Sequence, residues 1–367
     1  MPGLYVHIPF CISKCYYCDF YSVVVVPELL DRYIDALLAE ADSYNGGDFD
    51  TLYIGGGTPS LLGSKRLEEL VNGLSRRFNF ERIQEATIEV NPESAGRDFL
   101  ATAYSLNIRR VSIGAQSLNA EELRKAGRVH DRRQVLDAVD AASGSGFTNI
   151  SADVMIGLPG QTAQSLASTL DILVGAGIKH ISAYCLSIEE GTAFFRCPPA
   201  DLPGEDDQAC LFESAVDFLR AHGFTHYEIS NFALPGSECL HNLNYWRGGA
   251  YIGLGPAAAS HTGGMRFKNA PCLERYLNAP LSTREEEERL DDGRKAGEEA
   301  MLRLRLIEEG LDLGEMAGKY DQGAVESLKV RLDGLVSRQM LVADGHIFRL
   351  PPARIFTSNS VFVDVIS

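Results

Sequence analysis

The segment Cys11-Ile12-Ser13-Lys14-Cys15-Tyr16-Tyr17-Cys18 sets three thiols in a C-x3-C-x2-C spacing. Thiolates are soft ligands that select zinc or iron–sulfur, and three in one short loop can wrap one side of a compact metal cluster. A structural zinc ion needs a fourth ligand to close its tetrahedron. His7 is the local candidate, although it falls in a strand pattern and would have to fold back. A 4Fe-4S cluster on three cysteines instead leaves one iron open to an exogenous ligand.

Further polar groups follow apolar runs at comparable places. Gly55-Gly56-Gly57-Thr58-Pro59 is a turn whose glycines let backbone groups approach a ligand without a Cβ between them. Glu89 closes an apolar run before Asn91-Pro92, Gln116 sits in Gly114-Ala115-Gln116-Ser117, and Asp153 lies within a fifth run. Singly, each is an ordinary polar residue at a sheet edge. Together they point to one face, because polar groups at C-terminal strand ends of a βα barrel converge where sites are built.

The elements that must position them are six β-branched runs: 4–8, 51–54, 86–90, 110–113, 150–156 and 180–186. Each is followed by a turn and then by a stretch with helical spacing, such as Leu29-Leu30-Tyr33-Ile34-Leu37-Leu38 and Leu67-Leu70-Val71-Leu74. Six such units predict an α/β fold, a partial (β/α)6 TIM-like barrel with the helices outside. Beyond residue 190 the pattern changes to a loop over 197–204, a helix over 206–222, and a Gly-, Asn- and aromatic-rich stretch over 234–264 with no clear period. Capping-box spacings at Ser282/Glu285 and Thr283/Glu286 predict an acidic helix from Ser282, with Glu285 to Glu288 as its solvated face. Helices over 298–308, 313–319 and 325–338, then a β-ribbon over 341–350, resemble a small winged-helix-like α+β module. The divisions expected are 1–230 for the barrel, 231–280 for a linking segment and 281–367 for the module.

The 367 residues fit two domains or one with an appendage, and 45% hydrophobic with 23% charged residues is ordinary for a globular chain with a full core. A formal net charge of −16 repels phosphate backbones, so nucleic acid is not an expected partner. The N-terminus has no basic n-region or long apolar run, and the apolar run Val23 to Val26 ends at Pro27. The expected location is therefore the cytoplasm, where clustered cysteines read as metal ligands before disulfides. Cys185, Cys197, Cys210, Cys239 and Cys272 are expected to be buried small hydrophobes.

The cysteine spacing after a strand, with an aromatic before the last cysteine, resembles the radical S-adenosylmethionine (SAM) superfamily. That resemblance implies a radical-SAM barrel with SAM chelating the open iron of a 4Fe-4S cluster on Cys11, Cys15 and Cys18, and cleavage of SAM to methionine and a 5′-deoxyadenosyl radical. More narrowly, Tyr5-Val6-His7-Ile8-Pro9-Phe10-Cys11, GGGTPS at 55–60, IEVNP at 88–92 and IGLPGQT at 156–162 resemble the oxygen-independent coproporphyrinogen III oxidase group. Carried over by position, Tyr5, Gly56 and Glu89 would contact the SAM on the cluster. Tyr17, Gly57, Thr58, Gln116, Arg128 and Asp153 would line a second SAM position.

Two features set this chain apart from the oxidase. The oxidase carries a fourth cysteine, C-x3-C-x2-C-x-C, where this chain has Phe20, and a long N-terminal segment where this chain has ten residues before Cys11. In addition, His241-Asn242-Leu243-Asn244-Tyr245-Trp246 matches the H-N-x-x-Y-W signature of the HemW-type haem chaperones. The match implies His241 as an axial ligand for haem, with Asn242, Tyr245 and Trp246 around the porphyrin. Cys239 is a second haem-proximal candidate. The expected function is haem chaperoning: haem carried as cargo to apo-haemoproteins, including respiratory ones at the membrane, with cluster and SAM in a role such as controlling a homodimer. The competing readings are the oxidase itself, which decarboxylates two propionates, and a radical-SAM methyltransferase on another small molecule.

Overall fold

The computed structural model describes residues 2–44 and 46–366. Six strands, β1 (Gly3–Ile8), β2 (Thr51–Gly56), β3 (Glu85–Val90), β4 (Arg110–Gln116), β5 (Asn149–Ile156) and β6 (His180–Cys185), run parallel and pair in chain order. Helices α1 (Leu30–Asp42), α2 (Gly63–Ser75), α3 (Arg97–Ser105), α5 (Arg132–Gly144), α6 (Ala163–Gly175) and α7 (Glu205–Ala221) follow them in turn, with a short α4 (Ala120–Lys125) after β4. This is the expected partial (β/α)6 barrel. It remains open: beyond β6 lie the antiparallel β8 (Asn231–Ala233) and β7 (Thr225–Glu228), and beyond β1 lie β9 (Tyr251–Leu254), β10 (Ala259–Thr262), β11 (Met265–Asn269) and β12 (Arg284–Arg289).

Alternation along the strands gives the two faces of this sheet different chemistry. Leu4, Val6, Ile8, Leu52, Ile54, Ile88, Val111, Ile113 and Ile181 point outward into the helix layer and are buried. The opposite positions are polar and stand beside one another in register: Tyr5 with Tyr53, Tyr53 with Thr87, Thr87 with Arg110, Glu89 with Ser112, Ser112 with Ser151, Asp153 with Ser182. The apolar core therefore lies between sheet and helices, whereas the barrel interior carries titratable and hydroxyl groups.

The stretch without a readable period contains α8 (Leu240–Trp246) and two of the strands added beside β1, and α9 (Leu273–Asn278) comes after β11. The acidic helix expected from Ser282 is instead the edge strand β12. The main-chain carbonyl of Thr283 accepts from Ala270 N at 2.7 Å, and Glu288 and Glu285 pair with Arg266 on β11 (2.7 Å) and with Arg275. Four adjacent glutamates would repel along a helix, but alternate sides of a charged edge strand tolerate them and deter pairing with another chain. A second apolar core gathers α10 (Asp292–Arg303), α11 (Leu313–Ala317), α12 (Gln322–Ser337) and α13 (Ser358–Ile366) around Leu304, Leu328, Leu332 and Val361. A small sheet of β13 (Leu311–Asp312), β15 (Ile347–Arg349) and β14 (Val342–Asp344) covers it. The last helix, α13, has no counterpart in the sequence reading. Of the five cysteines expected to be buried, Cys239 is, Cys185 is half-buried, and Cys197, Cys210 and Cys272 are exposed.

Candidate functional site

A cavity of about 390 Å3 opens at the C-terminal ends of the strands. Cys11, Cys15 and Cys18 line it together with Tyr17, Gly56, Gly57, Glu89, Gln116, Arg128 and Asp153. The cysteine loop is pinned from three sides. Cys11 pairs with Val24, Tyr16 N donates to Ala126 O at 3.1 Å, and Phe194 N donates to Tyr16 O at 2.9 Å.

Two of the three sulfurs already have donors. Thr58 Oγ1 donates to Cys11 Sγ at 3.7 Å, and Arg128 Nη1 to Cys15 Sγ at 3.3 Å. Asn91 ties these donors together: its Nδ2 donates to Thr58 Oγ1 (2.8 Å), and its Oδ1 accepts from Arg128 Nη2 (2.9 Å). Burial and the neighbouring cysteines push the Cys18 thiol up to about 11. Among the described residues no three His, Cys, Asp or Glu side chains form a set for a single metal ion, whereas the three thiols share one cavity. A cluster fits these donors, because it offers each thiolate its own iron. His7 is not available to complete a zinc tetrahedron. Its Nε2 donates to Tyr21 O (2.9 Å), which leaves Nδ1 to accept from Tyr5 OH (3.0 Å).

The remaining cavity residues sit on strand ends. Gly56 has φ +108°, and a Cβ there would lie 2.5 Å from the His7 ring; one at Gly57 would lie 2.7 Å from Phe10 O. Glu89 accepts from Gly56 N (2.9 Å) and Tyr53 OH (2.6 Å). Burial, with the charge of Asp153 behind it, pushes its carboxyl up to about 7. Asp153 accepts from Ser112 Oγ at 3.1 Å, and burial raises its carboxyl too. Gln116 adopts φ +62° where β4 bulges against β5, a conformation held by its surroundings rather than by preference. Tyr5 and Thr58 act from behind the cavity wall, through His7 and Cys11. Sequence reasoning missed Tyr53, Asn91 and Tyr184, which all line the cavity. For Tyr53 the available signal was the alternation Thr51-Leu52-Tyr53-Ile54.

The H-N-x-x-Y-W helix lies at the other end of the barrel. His241 meets the first residues of β1 and β2: Nδ1 is 2.8 Å from Thr51 Oγ1, and a Cβ on Gly3 would strike its ring. Its Nε2 is 2.8 Å from Tyr245 OH, and its ring stacks on Tyr53 at 5.1 Å. The start of α8 is held by Glu85, which accepts from Leu240 N (3.1 Å) and His241 N (3.2 Å). Burial and the Arg110 charge bring the His241 imidazole down to about 3, so it is neutral.

His241 is 1% exposed and both ring nitrogens are engaged, so it offers no lone pair to an iron in this conformation. The four motif residues also divide between two faces of α8, since residues four apart share a face. His241 and Tyr245 point into the barrel. Asn242 and Trp246 share another face, with Trp246 half-buried against the small apolar cluster that includes Leu243 and Leu306 and the Arg305 guanidinium 4.2 Å over its ring. Cys239 is fully buried, its thiol pushed up to about 12 by burial.

Residues 5–173 match the Radical SAM superfamily. The chain is 34% identical over 362 residues to the "Heme chaperone HemW" of Lactococcus lactis, covering 98% of this chain and 95% of that protein. It is 38% identical over 261 residues to the protein of the same name from Escherichia coli, covering 70% and 69% of the two. Among solved structures, the fold is similar to that of the E. coli coproporphyrinogen III oxidase HemN, a radical SAM enzyme, with a TM-score of 0.87 at 23% identity over 100% of this chain and 90% of that one.

Proposed function

The chain belongs to the HemW family within the radical SAM superfamily, and from that premise we propose that it is a haem chaperone, which binds haem and passes it to apo-haemoproteins. Similarity to a relative of that name along nearly the whole of both chains carries this reading. A second observation favours it over the oxidase whose fold it shares: the place of the oxidase's fourth cysteine is taken by Phe20, 64% exposed beside the cavity.

Cys11, Cys15 and Cys18 would hold the 4Fe-4S cluster, and the polar wall beside them SAM. When bound, such a cluster offers SAM an open iron and one electron. The chain's own contribution is electrostatic and geometric. Arg128 and Thr58 donate hydrogen bonds to Cys15 and Cys11 and so fix where those sulfurs stand. Gly56 and Gly57 bring backbone close to a ligand, and Tyr17, Glu89, Gln116 and Asp153 supply polar contacts. Haem is assigned to the α8 motif, His241, Asn242, Tyr245 and Trp246, in a conformation where the His241 side chain has turned away from Thr51 and from the Tyr245 hydroxyl. The closed arrangement is then the empty state of the carrier. The proposed setting is the cytoplasm, with acceptors that include respiratory haemoproteins at the membrane. No helix among the described residues is long and apolar enough to cross a bilayer.

Mixing the haem-loaded chain with an apo-haemoprotein of distinct Soret maximum tests this reading. The acceptor's spectrum should appear while the donor's declines. Haem that stays on the chain contradicts transfer, and a chain that loads none contradicts the whole reading.

A further inference from the structure

The two ends of the barrel are separated by the length of a strand. Thr51, beside His241, and Gly56, beside Glu89, are the first and last residues of β2, about 17 Å apart at the usual rise. Tyr53 stands between them on the inner face. Its hydroxyl donates to Glu89 Oε1 at 2.6 Å, and its ring lies 5.1 Å from that of His241 with 29° between the planes. It also lines the cavity. One side chain thus holds the carboxylate at one candidate site and the imidazole at the other.

We propose that Tyr53 is a positioning residue that links occupancy of the cavity to the release of His241, a cationic group bound at Glu89 holding His241 closed. Each Glu89 oxygen accepts one hydrogen bond in the described structure, so the carboxylate can take a further donor without losing Tyr53. A cation beside it keeps it ionised, and a bond to an ionised acceptor is shorter and stronger than one to a neutral acid. The tighter Tyr53–Glu89 bond fixes the ring on which His241 is stacked, and with it α8, whose first turn Glu85 already clamps. The amino group of SAM is the cation that the family provides. The haem reading enters only in what His241 does once released.

The test is hydrogen exchange at residues 239–246 and at the His241 imidazole, followed by mass spectrometry in anaerobically reconstituted protein. Wild type and Tyr53→Phe are compared with and without saturating SAM, whose binding is measured separately by equilibrium dialysis. The substitution keeps the stacked ring and removes the hydroxyl. SAM should slow exchange by at least about fivefold in wild type, the lower end of ordinary coupling between sites, and change it less than twofold in Tyr53→Phe of native circular dichroism. Unchanged or faster exchange in a wild type that binds SAM overturns the link alone, as does an equal slowing in the variant. A wild type that binds no SAM overturns the link together with the cofactor assignment. Slowing in a chain that takes up no haem leaves the link standing and removes the haem reading.

Discussion

Arg128 Nη1 lies 3.3 Å from Cys15 Sγ, and this contact joins the loops after β1 and β4, strands that are not neighbours in the sheet. A surface arginine in sequence terms, Arg128 is drawn inward by Asn91 Oδ1 and by Gly114 O at 2.8 Å. Fixed positive charge beside a sulfur ligand stabilises the more negative, reduced state of a cluster. Arg128→Met should therefore lower the reduction potential of the reconstituted cluster, as followed by an electron-paramagnetic-resonance redox titration. An unchanged potential would show that the guanidinium only packs.

Asn91 serves both sulfur donors, through Thr58 and Arg128. Losing a buried hydrogen bond to a charged group costs about 1.5–3 kcal/mol. Asn91→Ala should lower the iron and sulfide retained after reconstitution and shift the potential in the same direction as Arg128→Met. The double variant should add little to either single change, since both disturb one network. Fully additive shifts would mean that Asn91 acts elsewhere.

The Glu89 carboxyl sits near 7 in the folded chain against 4.5 in the open one. A raised carboxyl binds more protons folded than unfolded between those values, so its contribution to stability is present below about 4.5 and lost as pH climbs through about 7. Glu89→Gln removes this dependence. In the cofactor-free protein, the melting temperature of the variant minus that of wild type should rise between pH 5 and 8, for a difference on the order of 3 kcal/mol. Parallel melting curves would place Glu89 in a wetter site than its burial implies.

Gly57 faces backbone rather than flexible side chains: an added Cβ would meet Phe10 O and Ile8 O within 2.8 Å. Since Gly57 N also donates to Ile8 O at 2.8 Å, the turn cannot retreat without opening the strand that leads into Cys11. Gly57→Ala should destabilise the fold by about 1–3 kcal/mol and reduce cluster uptake, read by urea unfolding and iron content. A neutral substitution would mean that the turn moves freely.

The six parallel strands were legible because each has a complete apolar face and a turn after it, and the cysteine loop because its spacing is dense. Gln116 and Asp153 were legible as strand-end polar groups for the same reason. Strand β12 was not, because an exposed edge with charges on both sides has no hydrophobic period, while Ser282/Glu285 imitates a helix cap. The role of Arg128 depends on Asn91, a partner 37 residues away that local pattern cannot supply. The motif at His241 was readable as a motif but not as a place. Its position at the N-terminal strand ends follows from the packing of α8 on Thr51 and Glu85, which only the assembled sheet defines.

Anaerobic titration of haem into reconstituted wild type and His241→Ala, followed at the Soret band, tests the chaperone reading most directly. Wild type should saturate at one equivalent, and the variant, if still folded by circular dichroism, should bind at least about tenfold more weakly, the roughly 1.4 kcal/mol that a lost axial ligand exceeds. Equal binding would move the ligand away from α8. A wild type that shows no saturable Soret band would contradict the chaperone reading outright.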